Sequence, residues 1–203
     1  MVRRRRMVRS FTDEPLDPAQ VDRLLGNAVR GPSAGFTQGW SFLVLETPAD
    51  RELFWAVASP ASSDRDLTAW KAGLRRAPLI VVPMASKAAY LDRYAEPDKA
   101  GAHLGHDESR WPVPYWHVDV GMASLLILQT AVDLSLGACF FGLGGPQRPA
   151  FHAAFGVPDA WDPTGVIAVG HPDEPGRGAA GSPARRPRKP LAEVVHRGRW
   201  TGQ

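Results

Sequence analysis

Val118-Asp-Val-Gly-Met-Ala-Ser-Leu-Leu-Ile-Leu-Gln-Thr-Ala-Val-Asp-Leu-Ser-Leu136 is the most apolar stretch of this 203-residue chain. Its apolar side chains fall on nearly every face of a 3.6-residue period, which marks a central buried helix. Ser124, Gln129 and Asp133 interrupt the run from Val120 to Leu136, which argues against a membrane span. Directly behind it, Gly137-Ala-Cys-Phe-Phe141 reads as a strand and Gly142-Leu-Gly-Gly-Pro146 as a turn. Pro149 to Phe155 follows as a short helix, and Gly165-Val-Ile-Ala-Val-Gly170 as the last core strand.

Upstream, Asp17 and Pro18 supply an N-cap and a first helical position. Val21, Leu24, Leu25, Ala28 and Val29 then predict an amphipathic helix over residues 18–30, ended by Gly31-Pro32. Ser41 to Glu46 reads as a strand, and residues 50–58 and 66–76 as short helices. Leu79-Ile-Val-Val-Pro83 reads as a buried strand closed by its proline. Residues 86–116, rich in Trp, Tyr, His and Pro, show no sustained period, as expected of a lid. Strands separated by helices around an apolar helix give a mixed α/β or α+β sandwich.

Composition bounds the rest. A hydrophobic fraction of 44% and a charged fraction of 22% fit one globular domain with a sizeable core. Cys139 stands alone, which excludes an intramolecular disulfide and fits a reducing, cytoplasmic setting. The start is basic but lacks the apolar segment of a signal peptide. Half of the 24 basic residues lie within residues 1–9 and 176–203, leaving an acidic middle. Such ends suit a nucleic-acid surface, or two segments that meet around one phosphate. Gly/Pro/Arg-rich residues 171–190 have little to bury and read as an extended arm. Neither a G-x-G-x-x-G after a strand nor a Walker loop is present, which excludes Rossmann and P-loop sites. His103-x-x-His106-Asp107-Glu108 could ligate a metal, but it lacks a distant fourth partner, and no metal is expected.

Four segments carry further information: Arg5-Arg6-Met7-Val8-Arg9-Ser10-Phe11; Gly31-Pro-Ser-Ala-Gly-Phe-Thr-Gln-Gly-Trp-Ser-Phe42; Leu136-Gly-Ala-Cys-Phe-Phe-Gly-Leu143; and Arg186-Pro-Arg188-Lys-Pro-Leu-Ala-Glu-Val-Val-His196 with Trp200. In this order they resemble the signatures of the nitroreductase family. Those are an Arg-Arg-aliphatic-Arg-x-aromatic opening, a Pro-Ser-x-x-Asn-x-Gln-Pro-Trp-x-Phe loop, a Gly-x-Cys-aromatic-x-Gly segment and a basic Pro-Leu-Glu-Glu-Val-Val-His ending. Phe36 stands where Asn is usual and Gly39 where Pro is usual.

The resemblance implies a single α+β domain of three-layer type over residues 1–203, with a mixed, mainly antiparallel sheet. It implies a lid at 86–116 and a C-terminal arm, 171–203, exchanged with a partner subunit. FMN and NAD(P)H are the implied cofactor and donor, acting by ping-pong transfer through flavin N5 in a homodimer with two interfacial sites. Arg5, Arg6, Met7 and Arg9, with Arg186 and Arg188, are expected around the phosphate. Guanidinium forks match phosphate oxygens better than lysine does. Pro32, Ser33 and Ala34 are expected along the ring and ribityl chain, and the backbone of Phe140, Phe141, Gly142 and Leu143 near the ring edge. No catalytic side chain is implied, because the flavin carries the chemistry. Phe36, Trp111, Tyr115 and Trp116 are expected to wall an aromatic acceptor pocket, suited to nitro or quinone compounds. A flavin- or deazaflavin-binding protein with little turnover, and a basic nucleic-acid module, stay open beside this reading.

Overall fold

The computed structural model describes residues 2–58, 65–173 and 185–200. The chain forms two compact units, Met1–Asp173 and Glu174–Gln203. The first contains helices α1 (Pro18–Ala28), α2 (Pro48–Ala58), α3 (Arg65–Arg75), α4 (Lys87–Ala95), α5 (Tyr115–Asp133) and α6 (Arg148–Phe155). Its strands are β1 (Trp40–Leu45), β2 (Leu79–Ala85), β3 (Gly137–Phe141), β4 (Asp162–Pro163) and β5 (Val166–Gly170). They pair in the order β1-β2-β5-β3, with β4 on β2, and every pairing between these strands is antiparallel. Among the described residues, the one parallel contact is an isolated bridge from Met7 to Ala138.

The buried strand β2 explains the layers. Leu79 and Val81 face a cluster with Val21, Leu24 and Ala28 of α1 and Ile127, Leu128 and Ala131 of α5. Ile80, Val82 and Met84 face the opposite cluster, with Phe54 and Trp55 of α2, Leu74 of α3 and Phe151 of α6. A strand apolar on both faces needs cover on both sides, and helices supply it. The strand runs two residues past its expected end at Pro83. Partner strands change from β5 to β4 there, and the Pro83 carbonyl accepts from Thr164 N–H and Oγ1, each at 3.0 Å. The missing N–H of proline therefore falls in a gap of the ladder.

Helix α1 begins as the sequence predicts. Asp17 Oδ1 accepts from the Ala19 N–H at 2.8 Å, and Gln20 Oε1 accepts from the Asp17 N–H at 3.1 Å. Helix α5 starts at Tyr115, and only one face of it is buried: Trp116, Asp119, Val120, Ala123, Ile127 and Ala131 point inward. The helix is central as expected, while Tyr115, Val118 and Leu125 on the opposite face are exposed in the single chain. The expected irregularity of 86–116 is corrected. Ser86 caps the nine-residue α4, its hydroxyl accepting from the Ala89 N–H at 3.3 Å, and 3-10 turns cover Pro97–Ala102 and Glu108–Arg110.

In the second unit, α7 (Leu191–Val194) is a short helix, and His196 stacks on Trp200 at 4.0 Å. The expected arm from 171 onward lies partly outside the described residues, at 174–184. Among the described residues no helix is long and apolar enough to cross a membrane.

Candidate functional site

The arginine string is held by backbone pairing. Met7 bridges to Ala138 on the outer edge of β3, and the Val8 N–H donates to the Ala138 carbonyl at 2.9 Å. The Phe140 N–H donates to Met7 Sδ at 3.4 Å. Beyond the string, Phe11 is fully buried and bridges to Pro172. Arg76 donates to Asp173 at 2.6 Å and to Ser10 Oγ at 3.0 Å, and holds the Asp173 carboxyl below its ordinary range. The string is thus anchored on β3 through Met7 and Val8, and just beyond β5 through Ser10 and Phe11.

This anchoring brings the segment of Arg5, Arg6, Met7 and Arg9 to the edge of β3, which carries Phe140 and Phe141 and leads into Gly142 and Leu143. Arg5 Nη1 is buried and has no hydrogen-bond partner among the described residues. Guanidinium nitrogens hidden from water normally find an acceptor, so an anionic group fits this place. Phe141 stacks on Trp55 at 5.9 Å and meets the edge of Trp70 at 5.5 Å. Gly142 is exposed with open space around it, whereas Leu143 is buried. Cys139 is buried, which pushes its thiol up against the opposing pull of the nearby Arg9 charge. An elevated thiol pKa makes it an inert packing group.

The loop containing Pro32, Ser33 and Ala34 is fixed by side chains that sequence reasoning passed over. Asp119, only 1% exposed on α5, accepts from the Ala34 N–H at 2.7 Å and from Tyr90 Oη at 2.6 Å. Arg93 Nε donates to the Gly35 carbonyl at 3.0 Å, while its two Nη atoms grip Asp98, each at 2.7 Å. The Gln38 N–H donates to Ser33 Oγ at 3.0 Å, and Thr37 Oγ1 donates to the Ala34 carbonyl at 2.6 Å. The Ala34 amide is therefore committed to Asp119. An acid within the apolar run, Asp119, is the available signal.

The two departures in the loop have structural counterparts. A Cβ at position 39 would lie 2.5 Å from the Tyr90 ring, so the space that the usual Pro takes is filled by Tyr90. Phe36 adopts φ 54°, a left-handed conformation that Asn tolerates and bulky residues avoid.

Of the expected pocket residues, Trp111 and Trp116 pack inward with Tyr90 and Trp40, and Trp111 Nε1 donates to the Leu104 carbonyl at 2.9 Å. Tyr115 and Phe36 are exposed. Around His103 and His106 the acids serve local partners: Asp107 accepts from Ser109 and Arg110, and Glu108 pairs with Lys87 at 2.5 Å. Among the described residues no three His, Cys, Asp or Glu side chains are grouped as for a metal. Arg186 and Arg188 lie in the second unit and are exposed.

Fold and site together define a three-layer α+β protein with an arginine-lined edge suited to an anionic group. The chain belongs to the nitroreductase family, whose model matches residues 2–171. A relative from Archaeoglobus fulgidus with the provisional name NADH dehydrogenase/NAD(P)H nitroreductase is 23% identical, covering 86% of this chain and 84% of its own. A provisionally named nitroreductase from Desulfovibrio desulfuricans, solved in complex with FMN, superposes with a TM-score of 0.68 at 22% identity, covering 98% of this chain and 95% of that one. A Bacillus subtilis nitroreductase gives a TM-score of 0.73 at 19% identity, covering 98% of this chain and 72% of that one.

Proposed function

We propose that the chain is an FMN-dependent oxidoreductase that takes electrons from NAD(P)H and passes them, in a separate half-reaction, to an aromatic, quinone or nitro acceptor. The observation that carries this reading is the Arg5–Arg9 string anchored on β3, with a buried guanidinium nitrogen that no described residue satisfies. Arg5, Arg6 and Arg9, joined by Arg186 and Arg188, would hold the phosphate, with Met7 packed beneath them. Pro32, Ser33 and Ala34 would lie along the ring and ribityl chain, and the backbone of Phe140–Leu143 would approach the ring edge. Bound there, the flavin supplies hydride acceptance and electron delivery, so the protein's part is to bind, orient and exclude water.

The same geometry supports a homodimer with shared sites. The 33–39 loop enters the sheet at its β1 edge, and the arginine string joins at the β3 edge. Three strand spacings separate these edges, about 14 Å. A loop from one subunit and a string from its partner would close the gap. The exposed face of α5 supports this reading, since Tyr115, Val118, Met122 and Leu125 recur at the three- and four-residue spacing of a helix–helix seam. A cytoplasmic location agrees with the single unpaired Cys139.

The test is ligand protection. One FMN per chain should bind a dimer, and Tm should rise further as FMN is raised above saturation. DNA at equal phosphate concentration should give little or no shift. Stabilisation by DNA and not by FMN would overturn the reading in favour of a basic nucleic-acid module.

A further inference from the structure

We infer that Gly73 is a positioning residue of the cofactor site: as a glycine it lets helix α3 seat against the backbone of Arg9 and hold the arginine string where it can meet the phosphate. The inference rests on the flavoenzyme reading above and adds to it an element, α3, that supplies none of the expected cofactor contacts itself.

Gly73 lies in the last turn of α3. Glycine loses more conformational freedom on folding than any other residue, and alanine is what a helix favours. The surroundings explain the glycine. A Cβ at position 73 would lie 2.2 Å from the Arg9 carbonyl oxygen and 3.3 Å from the Ser10 Cα. Both are backbone atoms and cannot rotate away. Close carbon–oxygen contacts settle at about 3.3 Å, so a methyl group would force helix and string apart by about 1 Å. The helix does not give way freely, since Leu74 is fully buried and Arg76 ties α3 to Ser10 and Asp173. Gly26 of α1 is different, because a Cβ there would meet nothing within 4 Å.

A second glycine receives the string on β3. A Cβ at Gly137 would meet the Val8 side chain at 2.8 Å. Val8 is therefore seated on β3 and Arg9 on α3, and the two elements together locate the string. One turn before Gly73, Trp70 meets the edge of Phe141 at 5.5 Å. Helix α3 thus touches both segments expected around the flavin, the string at the phosphate and the end of β3 at the ring edge, and sets their spacing. A charge-assisted bond to phosphate depends on direction as well as distance, so moving the string by about 1 Å degrades it while leaving ring contacts in place.

The experiment titrates wild type, Gly73→Ala, Arg76→Ala and Gly26→Ala with FMN and with riboflavin, read by flavin fluorescence. Gly73→Ala should weaken FMN roughly tenfold and leave riboflavin close to wild type. Arg76→Ala removes a half-exposed side chain, so the fold is kept. By loosening the same tether it should weaken FMN severalfold and riboflavin not at all. Gly26→Ala should leave both ligands unchanged. Wild-type FMN affinity in Gly73→Ala or, should that variant not fold, in Arg76→Ala would overturn the inference. Equal losses of FMN and riboflavin in Gly73→Ala, or the same FMN loss in Gly26→Ala, would overturn it too, since general damage to helix packing has no preference for the ligand that carries a phosphate. Failure of the underlying reading looks different: the wild type itself would then bind FMN no more tightly than riboflavin, or bind neither.

Discussion

Asp119→Ala is expected to lower the unfolding free energy by about 2–6 kcal/mol, since it strands one buried and one part-buried donor at about 1–3 kcal/mol each. Those donors are the phenol of Tyr90, which is fully buried, and the Ala34 amide. Asp119→Asn keeps one acceptor oxygen and should cost less than half as much. Urea unfolding checks this: the midpoint should fall with an unchanged slope. Tyr90 adds a pH signature. Burial first, and then the hydrogen bond and charge of Asp119, push its phenol well above the ordinary value of 10.0. Below that value both folded and unfolded states keep the proton, and stability is at full strength. Above it the unfolded chain ionises first, so stability falls as pH rises. Tyr90→Phe should flatten this alkaline limb while lowering stability at neutral pH. A flat limb in the wild type would show that the phenol is not held by the carboxylate.

Arg5→Ala is expected to weaken FMN about ten- to a hundredfold and riboflavin by far less, because the lost contact is a charge-assisted bond to phosphate worth roughly 1.5–3 kcal/mol. Arg5→Lys should recover only part of the loss, since a point charge replaces a planar fork. Arg188→Ala should act in the same direction if the second unit contributes to the same phosphate. Equilibrium titration of the two ligands separates the cases. Equal losses for FMN and riboflavin would place Arg5 away from the phosphate.

Much of the fold is legible in the chain because its signals are local. Asp17-Pro18 and the spacing of Val21, Leu24 and Ala28 specify α1 within two turns, and both faces of Leu79–Val82 are apolar because helices cover each side. The missed α4 buries one large side chain, Tyr90, so its period is faint beside exposed Lys87 and Asp92. Strand β4 has two residues and exists because Thr164 reaches the Pro83 carbonyl, 81 residues away in sequence. The site divides in the same way. The arginine string is read from residue type alone, whereas the Asp119–Ala34 contact spans 85 positions and becomes visible only once α5 lies beside the loop. The left-handed turn at Phe36 and Gln38 leaves no trace in sequence, since nothing local favours it. Trp111 and Trp116 looked like pocket walls because aromatic composition does not distinguish a ligand's surroundings from a small core.

The measurement closest to the central claim is the absorbance of the FMN-loaded protein under anaerobic addition of NADH or NADPH. The account predicts that the oxidised-flavin bands bleach stoichiometrically, and that a quinone added afterwards restores them. Bands that persist in excess NADH and NADPH, in protein shown to bind one FMN per chain, would contradict an NAD(P)H-dependent oxidoreductase and leave a flavin-binding protein without that turnover.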